Sequence, residues 1–190
     1  MGTGSIILLI VVAVLVLLVF YGIAVYNGLV SGRNQVEAAW GQIDVQLKRR
    51  HDLIPNLVEV VKDYMDYEQE TLQQVIQARN GAVAAGGQSR EAAIGAEGVL
   101  GAALGRLFAL VENYPDLKAN ENVQRLMEEL ATTENRIAFS RQHYNDSVMS
   151  MNTRVESFPS NIVANSFGFI RAPYFEVPEA ETAPVKVDLR

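Results

Sequence analysis

The stretch IILLIVVAVLVLLVFYGIAV, from Ile6 to Val25, decides the fold of this chain. It contains no charged residue, and the first charged side chain in the sequence is Arg33. A helix of about 20 residues, rising about 1.5 Å per residue, matches a hydrocarbon core of roughly 30 Å. We therefore predict a transmembrane helix over residues 6–26, preceded by a short extracytoplasmic N-terminus of residues 1–5.

A cleaved signal peptide is the competing interpretation of this segment. The apolar region of a signal peptide spans about 7–15 residues, follows a Lys or Arg, and precedes an A-x-A-like cleavage site. The segment is longer than that and has neither flanking feature. An uncleaved membrane anchor is therefore favoured.

Positive charge after the anchor predicts its orientation. Lys and Arg are enriched on the cytoplasmic flank, within about 15–20 residues of a span. Residues 1–5 contain neither, whereas Arg33 follows the span and Lys48, Arg49 and Arg50 come slightly later. We expect the N-terminus outside and the following domain in the cytoplasm.

The composition limits the classes of function. A chain of 190 residues has room for one ordinary domain beside an anchor. Its net charge of −6 provides no broad basic field, so nucleic acid is not an expected partner. Because the sequence has no cysteine, disulfides, thiolate metal sites and thiol catalysis are excluded.

Beyond the anchor, apolar residues recur every three or four positions, which predicts a series of helices. Pro55 cannot donate a helical hydrogen bond, so we predict a break near residues 51–55. The second helix is expected to end near Ala85, before Gly86-Gly87, and the third to span about Ser89 to Glu112.

A heptad run predicts a fourth helix of about 38 residues. Thr133 and Ser140 within its seam favour packing inside a bundle over a strict two-stranded coiled coil. The seam contains Val123, Leu126, Leu130, Thr133, Ile137, Ser140, Tyr144, Val148, Met151, Val155 and Phe158.

The predicted fold class is therefore all-α. The transmembrane helix continues into an antiparallel four-helix bundle over residues 27–158. An aromatic-rich C-terminal extension follows over residues 159–175, and the Pro-, Glu- and Ala-rich residues 176–190 are expected to form an extended or disordered tail.

Glycines at helical spacing predict close contacts between helices. Gly98, Gly101 and Gly105 form a stripe on the third helix, and each costs up to about 1 kcal/mol relative to Ala. Close approach of a neighbouring helix is the expected reason, and a loosely formed, fraying helix is the alternative. Gly28 and Gly32 form a similar pair where the anchor ends. All five are candidate self-association sites.

Aromatic side chains are concentrated near the C-terminus. Phe167, Phe169, Tyr174 and Phe175 are candidates for contact with an adjacent subunit or with the membrane. The alternative is that they form a plug on the end of their own bundle.

The sequence contains no recognisable catalytic pattern. His51 and His143 lack a ligand partner at metal-site spacing, and nucleophile and nucleotide-binding motifs are absent. For Glu134, on the edge of the heptad stripe, a structural ion pair is favoured over a general acid. We therefore predict no catalytic residue, metal site or cofactor.

The run Lys48-Arg49-Arg50 is the strongest basic feature of the sequence. A solvated helix end, where positive charge complements the helix dipole, is the favoured interpretation. Binding of an anionic partner or a lipid headgroup is the alternative.

Several motifs together resemble the LemA family of bacterial membrane proteins. They are YN (26–27), RNQV (33–36), AAWGQIDVQLKRRHDLIPNLVEVVKDY (38–64), ENYPDLKAN (112–120), TENRIAFSRQHYND (133–146), FPSNIVA (158–164) and PYFE (173–176). The resemblance covers nearly the whole chain, although the Gly-rich third helix is not expected in every relative. It implies a bacterial inner-membrane anchor with the N-terminus outside, a cytoplasmic helical bundle and no established enzymatic activity.

The leading functional hypothesis is a non-enzymatic, membrane-anchored scaffold that self-associates and takes part in membrane organisation. The role in membrane organisation follows from the resemblance, because a relative takes part in building magnetosome membranes. The alternative is a monomeric, membrane-tethered adaptor that binds another membrane or signalling protein through a helix face. The expected partners are the lipid bilayer, further copies of the chain and an unidentified protein.

Overall fold

The computed structural model describes residues 2–65 and 68–176, and all regular structure in these ranges is helical. The helices are α1 (Thr3–Lys62), α2 (Gln69–Gly86), α3 (Arg90–Val111), α4 (Pro115–Ala119), α5 (Glu121–Glu156) and α6 (Ser160–Ser166). The prediction of an all-α chain with an apolar N-terminal helix is therefore confirmed. Most of the predicted tail, residues 177–190, lies outside the described residues.

Helix α1 is continuous over 60 residues, so the predicted break near residues 51–55 is wrong. Pro55 lies inside the helix and has no N–H to donate to the carbonyl of His51, four residues earlier. Arg79 of α2 supplies a substitute donor, because its Nε donates to His51 O at 3.2 Å. The helix continues through the proline because a neighbouring side chain satisfies the freed carbonyl.

The N-terminal part of α1 exposes its apolar side chains. The large apolar residues from Ile6 to Phe20 are between 47% and 68% exposed. Helix α3 is also long and apolar enough to cross a bilayer, but a third of its most apolar stretch is buried. Its Leu100 and Leu107 lie in the protein core, so α1 is the stronger candidate for a membrane span.

The described residues divide into two compact units. Unit 1 contains residues 2–41 and 143–172, and unit 2 contains residues 42–142 and 173–176. Helices α1 and α5 contribute residues to both units.

In unit 1, α1 and α5 pack through apolar side chains. Trp40 and Tyr144 meet edge to face, with ring centroids 5.4 Å apart. The buried Asn152 fastens the C-terminal segment, donating to Ala172 O at 3.0 Å and accepting from Ala172 N at 2.9 Å. Buried apolar residues in this unit are Leu29, Val36, Ala39, Tyr144, Val148, Met151, Val155, Ala164 and Phe169.

In unit 2, α2 and α3 form a helical hairpin whose core also receives side chains from α1, α4 and α5. Ser89 caps α3 by accepting from Ala92 N at 3.1 Å, and Asn120 accepts from Asn122 N at 2.9 Å at the start of α5. The core includes Ile54, Leu57, Val61, Met65, Leu72, Val75, Leu100, Leu104, Leu107, Val111, Leu117, Val123 and Leu130.

The predicted limits agree with the later helices except at the start of the second helix, which was predicted to follow the break near residues 51–55 but begins at Gln69. Helix α2 ends at Gly86, α3 spans Arg90–Val111, and α5 has 36 residues. The predicted heptad seam of α5 is buried or half-buried except at its last member, Phe158, which is 80% exposed.

Candidate functional site

A cluster of ionisable side chains lies within unit 2. Helix α1 supplies Arg50 and His51, α3 supplies Glu97, and α5 supplies Glu134. Arg50 donates from Nη2 to Glu97 Oε2 and from Nη1 to Glu134 Oε2. His51 Nε2 lies 2.6 Å from Glu97 Oε1. Both carboxylate oxygens of Glu97 are therefore engaged, by two different residues.

Arg50 and Glu97 are 3% and 5% exposed, which makes their ionisation states structurally important. Burial by itself raises the pKa of Glu97, but the hydrogen bond with His51 and the positive charge of Arg50 outweigh burial. Together they hold the pKa of Glu97 below its ordinary value of 4.5. Glu97 is therefore ionised at neutral pH, and its buried charge is compensated.

The space beside this cluster limits its chemistry. Arg50, Glu97 and Glu134 line a cavity of about 30 Å³, which is too small for an organic substrate. His51 and Glu97 also border an open depression of about 340 Å³. Within residues 2–65 and 68–176, no three His, Asp or Glu side chains are grouped to hold a metal ion. The cluster is a structural ion network, and Glu134 forms the ion pair predicted for it.

The run Lys48-Arg49-Arg50 does not form one basic patch. The Arg50 side chain is 4% exposed and paired with Glu97 and Glu134, so its charge is already engaged within the chain. Lys48 and Arg49 are exposed, and Arg49 Nη2 lies 3.6 Å from a carboxylate oxygen of Glu129. For these two residues an anionic partner stays a prediction.

The predicted glycine contacts differ between the two helices. Gly32 is buried, and a Cβ built on it would lie 3.0 Å from Met151 Sδ of the same chain. A Cβ on Gly28 would lie 3.9 Å from Arg154 Nη1. These two glycines therefore face α5 of their own chain, which explains the close helix contact without a second copy.

On α3, the predicted close approach of a neighbouring helix is absent at two of the three glycines. A Cβ on Gly101 or Gly105 would meet no described atom within 4 Å. Gly98 is half-buried and lines the same small cavity as Gly101. Contact of this stripe with another chain stays a prediction.

The aromatic candidates belong to different units. In unit 1, the rings of Phe167 and Phe169 lie 4.9 Å and 5.7 Å from the ring of Tyr26, both edge to face. Phe167 is 64% exposed, whereas Phe169 is buried. In unit 2, Phe175 is buried, with its ring 5.8 Å from the guanidinium of Arg141, and Tyr174 is 38% exposed.

The sequence analysis singled out Arg50 without predicting its buried role, and it missed Glu97 and Arg79; Arg50 and Glu97 each had a signal. Arg50 follows Leu47 by three positions and precedes Ile54 by four, so it shares their buried helix face. Glu97 is the only charged residue between Glu91 and Arg106, in an otherwise apolar stretch. Arg79 has no local signal for its bond to the carbonyl of His51.

The long exposed apolar helix α1 and the ion network that joins α1, α3 and α5 describe an all-helical, membrane-associated protein. The chain belongs to the LemA family, whose model matches residues 39–189.

The chain is similar to proteins from three bacteria. Magnetosome protein MamQ of Magnetospirillum gryphiswaldense is 28% identical over 211 aligned positions, covering 97% of this chain and 78% of the relative. Magnetosome protein MamQ 2 of Paramagnetospirillum magneticum is 29% identical with the same coverage. Protein LemA of Metamycoplasma hominis is 25% identical, covering 84% of this chain and 72% of the relative.

Proposed function

We propose that this protein is a non-enzymatic scaffold that is anchored in the bacterial inner membrane, self-associates and takes part in membrane organisation. The observation that carries the proposal is the uninterrupted course of α1. It leads from the exposed apolar residues 6–20 to buried residues such as Leu29 and Ile43. Because anchor and folded part share one helix, no flexible linker separates them.

The proposed arrangement is an antiparallel four-helix bundle formed by the later part of α1 with α2, α3 and α5. Residues 159–175 are proposed as an aromatic extension of this bundle. The bias of Lys and Arg toward the C-terminal side of the anchor supports an outside N-terminus and a cytoplasmic bundle.

A non-enzymatic role is supported by the ionic cluster of Arg50, His51, Glu97 and Glu134. Its buried charges are neutralised by one another, and both oxygens of Glu97 are engaged. A general acid or base has to exchange a proton with a substrate. The cavity of about 30 Å³ beside Arg50, Glu97 and Glu134 holds none, and at the open depression of about 340 Å³ that His51 and Glu97 border both oxygens of Glu97 are already engaged.

Self-association is supported by large apolar side chains that the chain leaves exposed. Phe139 on α5 is 81% exposed, and Val45 and Val99 are 64% and 61% exposed. Exposed aromatic side chains are enriched at protein interfaces. The open space beside Gly101 and Gly105 is compatible with close approach of a helix from another copy.

A monomeric adaptor is the second candidate, and the exposed Phe139 favours it equally. An aromatic side chain that anchors a second copy would also anchor an unrelated membrane or signalling protein. The names of the magnetosome relatives support membrane organisation in either case. The two candidates differ in what contacts position 139.

Native mass spectrometry of the full chain in lipid nanodiscs tests self-association. We expect oligomers for the wild type and for E128K, a control at an exposed polar position of α5, and a shift toward monomer for F139K. A wild type that stays monomeric at high concentration would contradict the scaffold. A photo-crosslinker at position 139 in cells then separates the candidates, because a scaffold gives adducts with itself and an adaptor gives adducts with another protein.

A further inference from the structure

We propose that residues 158–172, here called the docking segment, form a second membrane-contact site that lies in the boundary between lipid headgroups and acyl chains. The site places Phe158, Ile162, Phe167 and Ile170 against the bilayer that holds α1. This inference rests on the proposed anchoring by α1, and it adds a lipid-binding surface that is separate from the spanning helix.

The register between α1 and α5 sets the level of the docking segment. Arg154 Nη1 donates to Gly28 O at 2.8 Å, and a Cβ on Gly32 would contact Met151. From Gly28 to Gly32 on α1, the contacted residue on α5 moves back from Arg154 to Met151. The two helices are therefore antiparallel here. Helix α5 ends two residues after Arg154, at Glu156, and this end is level with about residue 26 of α1. The apolar anchor ends at residue 25, so the chain leaves α5 at the membrane boundary.

Three contacts hold the docking segment at this level. The ring of Phe167 packs on Tyr26, the last residue of the predicted span. Asn152 forms two hydrogen bonds with the backbone of Ala172. Between them, Gly168 has a φ of 72°, and Phe169 N donates to Ala164 O at 2.9 Å, which ends α6 with a turn. The segment is therefore fastened to unit 1 along its length.

The docking segment has a packed face and an exposed face. Ala164 and Phe169 are buried, whereas Phe158 and Ile170 are each 80% exposed, Phe167 is 64% exposed and Ile162 is 57% exposed. Exposed apolar area costs about 25 cal/mol per Å² in water, and this cost is removed in the acyl-chain region of a bilayer.

The surroundings of the exposed face favour lipid as the molecule that covers it. The bilayer is present wherever α1 is inserted, and Phe167 of the exposed face packs on Tyr26, at the end of the anchor. Arg33 and Arg154 occur at the same end of unit 1, with the guanidinium of Arg33 5.5 Å from the Phe169 ring. Aromatic and arginine side chains are both enriched at the headgroup level, where arginine meets phosphate.

Depth-dependent fluorescence quenching tests this inference in the full-length chain. The sequence has no cysteine, so I162C and I170C each accept one environment-sensitive NBD label. The proteins are reconstituted in phosphatidylcholine–phosphatidylglycerol vesicles that carry a spin label at a shallow or a deep acyl position. We expect both labels to be quenched several-fold more by the shallow spin label than by the deep one.

Two control variants make the result decisive. H143C labels an exposed position of α5 that lies 13 residues, about 20 Å, before its C-terminal end, and it should not be quenched. L15C labels the middle of the anchor and should be quenched most by the deep spin label. Circular dichroism checks that each labelled protein is helical.

The controls also separate failure of this inference from failure of the anchoring. If L15C is quenched but I162C and I170C, like H143C, are not, the docking segment does not contact lipid. This inference is then overturned, while the proposed anchoring by α1 stands. If labelled I170C is not quenched by lipid and unlabelled I170C instead forms disulfide-linked dimers, a second copy covers the face and the inference is equally overturned. An unquenched L15C would overturn both proposals.

Discussion

Arg50 and Glu97 lie 47 positions apart in the sequence and form a buried ion pair between α1 and α3. Each side chain is 4% exposed, and the pair is completed by His51 on one carboxylate oxygen and by Glu134 on the arginine. Such a pair ties two helices together only while both charges are present. Removing one charge of the pair therefore tests the packing in unit 2 most directly.

We expect E97Q to destabilise the protein by about 3 kcal/mol, because the buried charge of Arg50 loses its buried partner and keeps only the exposed Glu134. The double variant R50M/E97M should recover most of this loss, since it removes both charges and retains apolar volume. Chemical denaturation followed by circular dichroism measures the free energies of unfolding. The control R49Q/E129Q removes an ion pair whose side chains are 49% and 41% exposed, and it should cost less than about 1 kcal/mol. Equal losses in E97Q and the control would contradict a buried ionic core.

The lowered pKa of Glu97 predicts a specific dependence of stability on pH. Folding favours the ionised form, so the contribution of Glu97 is complete above its ordinary pKa of 4.5 and is lost as the pH falls through the lower folded-state pKa. The stability difference between wild type and E97Q should therefore shrink in acid. Thermal unfolding from neutral pH to about pH 3 measures it. If the difference is constant over this range, folding does not lower the pKa of Glu97.

The hydrogen bond from Arg79 to His51 O predicts an energetic coupling with Pro55. R79A should cost about 0.5–1.5 kcal/mol, because the half-buried carbonyl is left without a donor. In a P55A background, position 55 regains its N–H and the same substitution should cost less. A double-mutant cycle measures the coupling. R106A, which removes an exposed hydrogen bond of 3.4 Å to Gln74, is the control. Additive effects of R79A and P55A would show that Arg79 does not replace the helical donor.

The close approach at Gly32 predicts that this position in unit 1 does not accept a large side chain. G32L should destabilise by about 1–3 kcal/mol, because the new side chain overlaps Met151, and M151A should relieve part of that loss. At Gly41, where an added Cβ meets no described atom, G41A should instead stabilise by up to about 1 kcal/mol. Denaturation midpoints of G32L, M151A, the double variant G32L/M151A and G41A test this. A neutral G32L would mean that α1 and α5 are not closely packed there.

The helices were predictable because their signals are local. Ser89 caps α3, Gly86-Gly87 follows the body of α2, and the apolar seam of α5 repeats over its 36 residues. The continuity of α1 past Pro55 was not predictable, because Arg79, which donates to the carbonyl of His51, is 28 positions away. No pattern near Pro55 reveals it.

The ionic site was only partly predictable, and the reason is helix geometry. Successive residues point about 100° apart around a helix, so a run of three basic residues cannot share one face. Only Arg50 points into the core, whereas Lys48 and Arg49 are exposed. Its carboxylate partner Glu97 lies on α3, which only the tertiary fold brings close to α1. A pairing between residues so far apart in the sequence produces no periodic pattern.

The most direct test of the account is whether α1 spans a membrane. Single-cysteine variants S5C and E128C, expressed in bacteria, are treated with a membrane-impermeant maleimide before and after the inner membrane is disrupted. We predict that S5C is labelled in intact cells with a permeabilised outer membrane, whereas E128C is labelled only after disruption. Labelling of both positions from the same side, or recovery of the full-length chain in the soluble fraction, would contradict the span.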